Sequence, residues 1–161
     1  MTREEFKDLW NIEELMISPS NASKYVKAEV EYKGGKLLLN FDLYTEDEVY
    51  DFGYDFFKQL KERLPELDDF AKKIIVEQEL NWNDVELELS EIQMRKPYEN
   101  NEGFYHCFSL TYYGGEGYDD DCYDEDDNLI DDSCPDLLLM NICFDKNFNF
   151  VEAFDEPITI D

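Results

Sequence analysis

The sequence predicts an α+β fold, a mainly antiparallel sheet of about five to six strands with a helix pair packed on one face, in a single domain over residues 1–161. Three observations predict it. Residues 25–44 alternate apolar and polar side chains on both sides of a Gly-Gly pair, as a hairpin does. Residues 45–80 carry apolar stripes at helical spacing, and about four strand-like runs follow between turn residues up to Phe154.

Taken in order, Thr2 and Glu5 form a capping-box pair ahead of Phe6, Leu9 and Trp10, which predicts a short opening helix ending near Asn11. The polar stretch 18–23 reads as a loop. Val26, Ala28, Val30 and Tyr32 then face one way and Lys27, Glu29, Glu31 and Lys33 the other; after Gly34-Gly35, Leu37, Leu39, Phe41 and Leu43 return in phase. Thr45 caps a helix whose first turn holds Glu46, Asp47 and Glu48, where the positive end of the helix dipole favours acids. Its stripe runs Val49, Phe52, Phe56, Phe57, Leu60 and Leu64. Pro65 is expected to break it, with a second helix through about Leu80 carrying Leu67, Phe70, Ala71, Ile74 and Ile75. Val85, Leu87 and Leu89 alternate before Ile92 and Met94 change phase, as a bulge or an early strand end would produce. Residues 97–103 read as a loop. The runs 104–113 and 136–144 are apolar on both faces, which suits central strands, and Asp145-Lys146-Asn147 turns the chain into a last strand over 147–154.

Charge constrains function more than any motif does. With 43% apolar and 16% aromatic residues the chain builds a core, so its formal charge of −27 belongs to a folded body and not to a disordered acidic tail. Residues 1–80 hold 11 Lys and Arg against 19 Asp and Glu; residues 81–161 hold 3 against 22. Such a chain is repelled by nucleic acid and by anionic membranes, which are bound through Lys and Arg, and it attracts basic proteins. The N-terminal residues contain no apolar signal-peptide core, and no run approaches the ~20 apolar residues that cross a bilayer, so a cytoplasmic protein with reduced thiols is expected.

The acids concentrate between the two apolar runs, in residues 114–135. Glu116, Asp119, Asp120, Asp121, Asp124, Glu125, Asp126, Asp127, Asp131 and Asp132 stand there without a Lys or Arg. Tyr118 and Tyr123 lie among them, with Tyr112 and Tyr113 alongside; tyrosine adds contact area at small entropy cost and stacks on arginine, which carboxylates bind bidentately. These ten acids with Tyr118 and Tyr123 are the expected partner-binding residues, and the structural alternative is that the rings cover a sheet edge.

Enzymatic and metal chemistry find less support, and the chain is read as non-enzymatic, without a cofactor or dedicated metal site. An EF-hand frame from Asp124 puts Asp126 and Asn128 in place, but Leu129 stands where glycine is required and Pro135 where the bidentate glutamate belongs. Cys107, Cys122, Cys134 and Cys143 include no C-x-x-C pair, so zinc is not indicated. His106, the only histidine, adjoins Cys107 in a strand, so the two side chains face opposite ways and form no dyad; a hydrogen-bonded sheet histidine is the expectation. Solvated carboxylates show none of the desolvation that acid/base catalysis needs.

The hairpin VKAEVEYKGGKLLLNFDL, the helices after it, and FSLTYYGGEGYDDD with DLLLMNICFDKNFNF together resemble the small acidic α+β immunity proteins of bacterial polymorphic-toxin systems. That resemblance implies a protein that binds a cognate basic toxin and blocks it. One competing reading is a DNA mimic that titrates DNA-binding proteins. A strand repeats side chains on one face every ~6.7 Å, whereas one DNA strand places a phosphate every ~3.4 Å, so a single contiguous acidic segment mimics DNA poorly. Another is a weak divalent-cation-binding domain built on the same acids.

Overall fold

The computed structural model describes residues 1–19, 24–78, 87–99, 105–114, 124–126, 128 and 138–157. They form an α+β structure. Helix α1 (Arg3–Trp10) is followed by strands β1 (Met16–Ile17), β2 (Tyr25–Tyr32) and β3 (Gly35–Asp42), helices α2 (Glu46–Tyr50) and α3 (Tyr54–Glu77), and strands β4 (Leu87–Glu99), β5 (Tyr105–Gly114), β6 (Leu138–Phe144) and β7 (Phe150–Pro157). The seven strands lie in one sheet in chain order.

Two features differ from the sequence expectation. The sheet has seven strands, the additional one being the two-residue β1, too short to show a period. It is also mixed, because β3 and β4 run parallel while every other pair is antiparallel. A parallel pair needs a long crossover, and α2 with α3 supplies it.

The sheet's apolar face is built in rows. Val26, Phe41, Met94, Phe108, Phe144 and Phe150 are successive cross-strand partners, as are Ala28, Leu39, Ile92, Leu110, Ile142 and Ala153. Against them pack Phe6 and Trp10 of α1, Val49 of α2, and Phe57, Leu60, Leu64, Leu67, Ala71 and Ile75 of α3, in one buried cluster. Rings dominate one end of it, with Phe6 5.0 Å from Phe57 and Phe108 stacked 5.4 Å from Phe144. Such pairs add about 0.5–1.5 kcal/mol each beyond the area they bury.

The local signals at the first two helix starts hold. Thr2 and Glu5, then Thr45 and Glu48, close complete capping boxes. The helix break does not fall at Pro65. Gly53, at φ 88°, ends the short α2 segment and starts α3, while Pro65 lies inside a continuous helix of 24 residues. Proline costs a helix interior about 3 kcal/mol, but the stripe from Phe57 to Ile75 keeps helical phase straight through it, and burying that stripe outweighs one lost hydrogen bond.

The hairpin turn also shifts by one residue. Tyr32 pairs with Gly35, and the two turn positions are Lys33 (φ 49°) and Gly34 (φ 80°), both left-handed as a type I′ turn requires. Leu43 leaves the phase of its strand, taking φ 68° and standing 60% exposed, while Tyr44 is buried instead. Pro97, expected in a loop, belongs to β4. It sits within a register shift between Met94 and Tyr98, where a residue without an N–H is tolerated. The phase change after Leu89 is a bulge and not a strand end: β4 runs on through a second shift, between Leu89 and Glu91.

Candidate functional site

The acidic segment connects the two strands on which the core is centred. Gly114 pairs with Leu138, so the connection leaves β5 and returns to β6 at neighbouring points on one end of the sheet. Of the expected partner-binding residues, Asp124, Glu125 and Asp126 are described, and all three are exposed. Glu116, Tyr118, Asp119, Asp120, Asp121, Tyr123, Asp127, Asp131 and Asp132 lie outside the described residues.

Asp124 is occupied by its own turn. Its Oδ1 accepts the backbone N–H groups of Asp126 and Asn128, each at 2.9 Å, and its own N–H donates to the Asn128 carbonyl at 2.9 Å. Those backbone donors, with the Asn128 N–H first, hold its carboxyl below the ordinary range. Asp145 makes the same turn between β6 and β7, accepting from Asn147 N–H at 2.8 Å and Asn149 N–H at 3.0 Å. The two stretches share an Asp-x-x-x-Asn spacing, so Asp124 is a turn former and Glu125 and Asp126 are the residues free to present charge.

Of the two tyrosines beside the segment, Tyr113 is 40% exposed but Tyr112 is fully buried. Tyr112 has a structural partner: its hydroxyl donates to Asp68 Oδ1 at 2.6 Å, and the Tyr32 hydroxyl donates to Asp68 Oδ2 at 2.8 Å. Lys33 and Lys72 reach the same carboxylate at 3.4 and 3.7 Å. Burial pushes the Asp68 carboxyl up, yet the two hydroxyls and the two ammonium groups outweigh it and hold the pKa below the usual value. This network ties α3 to β2 and β5.

The sheet's second face carries no helix among the described residues and is polar. Glu91, Thr111 and Asn141 form one cross-strand row, and Asn40, Gln93, Ser109, Cys143 and Glu152 the next. Ser109, Thr111, Asn141 and Cys143 are fully buried. Asn40 Nδ2 donates to Glu91 Oε1 at 2.7 Å and the Thr111 hydroxyl to Asn141 Oδ1 at 3.0 Å. Asn40 Oδ1, Ser109 Oγ and Asn141 Nδ2 are buried without a hydrogen-bond partner among the described residues. Buried polar atoms left in this state cost stability, so their accumulation on one face marks a place where fold alone does not explain the side chains.

His106 joins this face. It lies with Cys143 and Glu152, and the ligand-type atoms of all three fall within 4.8 Å of one another. Burial, together with nearby Arg95, lowers the imidazole pKa, while Glu152 opposes the shift at 3.4 Å from Nδ1. The Cys143 thiol is pushed up to about 12, chiefly by burial and then by Glu152. Cys107 packs against the apolar core as its neighbour Phe108 does, so the alternation that puts Ser109 and Thr111 on the polar face slips by one residue at this end of β5. The grouping of His106 with Cys143 and Glu152 was missed from sequence because its members stand on three strands. No local spacing signals it; the two apolar runs and the final strand supplied the only hint, by making β5, β6 and β7 neighbours.

Comparison with protein-family models, with curated proteins and with solved structures found no match for this chain. Among the described residues no helix is long and apolar enough to cross a membrane.

Proposed function

We propose that this chain is a non-catalytic acidic binding protein that neutralises a basic protein, a toxin in the immunity-type reading, through the connection between β5 and β6. The observation that carries it is the placement of cations along the sheet. The three Lys and Arg residues of the acidic half, Arg95, Lys96 and Lys146, all lie beyond Met94, Phe108 and Phe144, whereas the connection departs at Gly114 and Leu138. Six residues of strand at ~3.3 Å separate those levels by about 20 Å, more than twice the ~8 Å screening length at physiological salt. Lys96 is engaged with Glu48 at 2.8 Å and Arg95 with Gln93 at 2.5 Å. At the departure end, Lys33 and Lys72 are drawn to Asp68 and Lys73 to Glu77. The anions of the connection are therefore attached at an end of the sheet where Lys33, Lys72 and Lys73 are drawn to other acids and Lys36 stands across from Glu31, which favours an outside cation.

The test has two arms. Capture from the source cell at low salt, with mass spectrometry, identifies the basic partner, and the association rate is then measured against salt. Asp119, Asp120, Asp121, Asp126 and Asp127 are changed to Asn and Glu125 to Gln, keeping Asp124 for its turn. Association at low salt is expected to slow by about 10-fold or more and the salt dependence to flatten. An unchanged rate at low salt rejects the connection as the docking surface. A partner that keeps its activity when bound at equal stoichiometry rejects the inhibitor reading.

A further inference from the structure

The polar face of the sheet gathers three donor atoms of different chemistry. His106 on β5 supplies nitrogen, Cys143 on β6 sulfur and Glu152 on β7 oxygen, all within 4.8 Å of one another. Cys143 and Glu152 are direct cross-strand partners, and Ser109 is the partner of Cys143 on its other side. Ser109 is fully buried, and its Oγ has no hydrogen-bond partner among the described residues. The pairing is irregular beside both outer members of the trio. The β4–β5 register slips between Met94 and Tyr98, the partner of His106, and the β6–β7 register slips next to the Cys143 and Glu152 pair. Irregularities of this kind re-aim side chains and concentrate beside sites.

We infer that His106, Cys143 and Glu152 bind one borderline divalent metal ion, Zn²⁺ in the first instance. Imidazole, thiolate and carboxylate are the three donor types zinc accepts, while Ca²⁺ and Mg²⁺ take oxygen donors throughout. Metal–donor bonds of about 2.0–2.3 Å in a tetrahedral site place donor atoms roughly 3.4–3.7 Å apart, so the trio closes by about 1 Å of side-chain movement. Thiolate and carboxylate together balance the charge of the ion, leaving the buried site neutral beside the Arg95 guanidinium. Binding releases the thiol proton to solvent. Glu152, with 30% of its side chain exposed, gives the ion a way in from solvent. Nucleophilic use of the same trio is set aside because Cys143 has no exposed surface from which to meet a substrate. The ion joins β5, β6 and β7 at the end of the sheet remote from the acidic connection, so this site is independent of the proposed docking surface.

The experiment strips the full chain of metal and titrates it with Co²⁺. The expected result is one tightly bound equivalent per chain, with the visible bands of four-coordinate cobalt and a near-ultraviolet thiolate charge-transfer band, both displaced by Zn²⁺. Cys143→Ser abolishes the charge-transfer band and Cys107→Ser leaves it. His106→Gln and Glu152→Gln each weaken affinity by about tenfold or more. A reading that needs no variant is the melting temperature of the wild-type chain in Zn²⁺ against chelator, expected to rise and to saturate at one equivalent. The inference is overturned if wild-type protein shows no charge-transfer band, if the band survives in Cys143→Ser, or if only many weak ions bind, unaffected by the three substitutions.

Discussion

Asp68→Ala removes the acceptor on which Tyr112 and Tyr32 both close, and it does so at a carboxylate only 1% exposed. The Tyr112 bond at 2.6 Å is charge-assisted and buried; bonds of that class are worth about 1.5–3 kcal/mol, and the stranded hydroxyl adds about 1–3 kcal/mol of uncompensated desolvation. The Lys33 and Lys72 contacts involve ammonium groups about half exposed and add at most about 1 kcal/mol together. The expected loss is about 3–5 kcal/mol, in the range for breaking one side of a buried charged network. For a chain of this length that lowers the melting temperature by roughly 6–20 °C. Urea unfolding of wild type, Asp68→Ala, Tyr112→Phe and the double variant measures the coupling directly. The double variant is expected to lose less than the sum of the single losses by about 1–2 kcal/mol. A loss below about 1 kcal/mol for Asp68→Ala, or strict additivity of the two changes, refutes the network as described.

Asp68→Asn keeps an acceptor but no charge, and its effect should depend on pH. Because the folded state depresses the Asp68 pKa, the ionised carboxylate stabilises above the unfolded value near 4, and that stabilisation fades as pH falls through the lower folded value. The stability gap between wild type and Asp68→Asn is therefore expected to be full at pH 6–7 and to close toward pH 2; a gap constant with pH contradicts the assignment. Glu48 behaves alike, its carboxyl held down to about 2 by Lys96 and then by the Thr45 backbone, so the gap between wild type and Glu48→Gln closes over the same descent. Asp145→Ala removes the acceptor for two backbone N–H groups in the β6–β7 turn and should cost about 1–2 kcal/mol in denaturant unfolding. Pro65→Ala should stabilise by about 1 kcal/mol or more, since alanine restores an N–H within α3 at an exposed position; thermal unfolding reads the sign.

Much of the local architecture is legible because it depends on neighbours in the chain. The capping box at Thr2 and the alternation from Tyr25 to Asp42 each identify an element from side chains only two to four positions apart. Legibility fails where a local rule meets a tertiary one. Pro65 is a helix breaker by its own chemistry, and only the burial of the surrounding stripe against the sheet keeps α3 continuous. Tyr112 reads as an interface aromatic beside a run of acids, until Asp68 is found across the core to receive its hydroxyl. The acidic connection shows the same division. Its charge is plain in the sequence, but the sorting of Asp124 into a turn role, apart from the exposed Glu125 and Asp126, needs the backbone N–H groups that Asp124 accepts.

By itself the sequence determined the α+β class, the hairpin, the helix starts and the concentration of anions between two apolar runs, because composition and periodicity are written in consecutive residues. The tertiary structure alone decided that β3 and β4 run parallel, that Arg95, Lys96 and Lys146 stand at the end of the sheet away from the acidic connection, and that His106, Cys143 and Glu152 meet. Those facts follow from strand pairing, which brings together residues far apart in the chain, and side-chain alternation is the same whichever way a neighbouring strand runs.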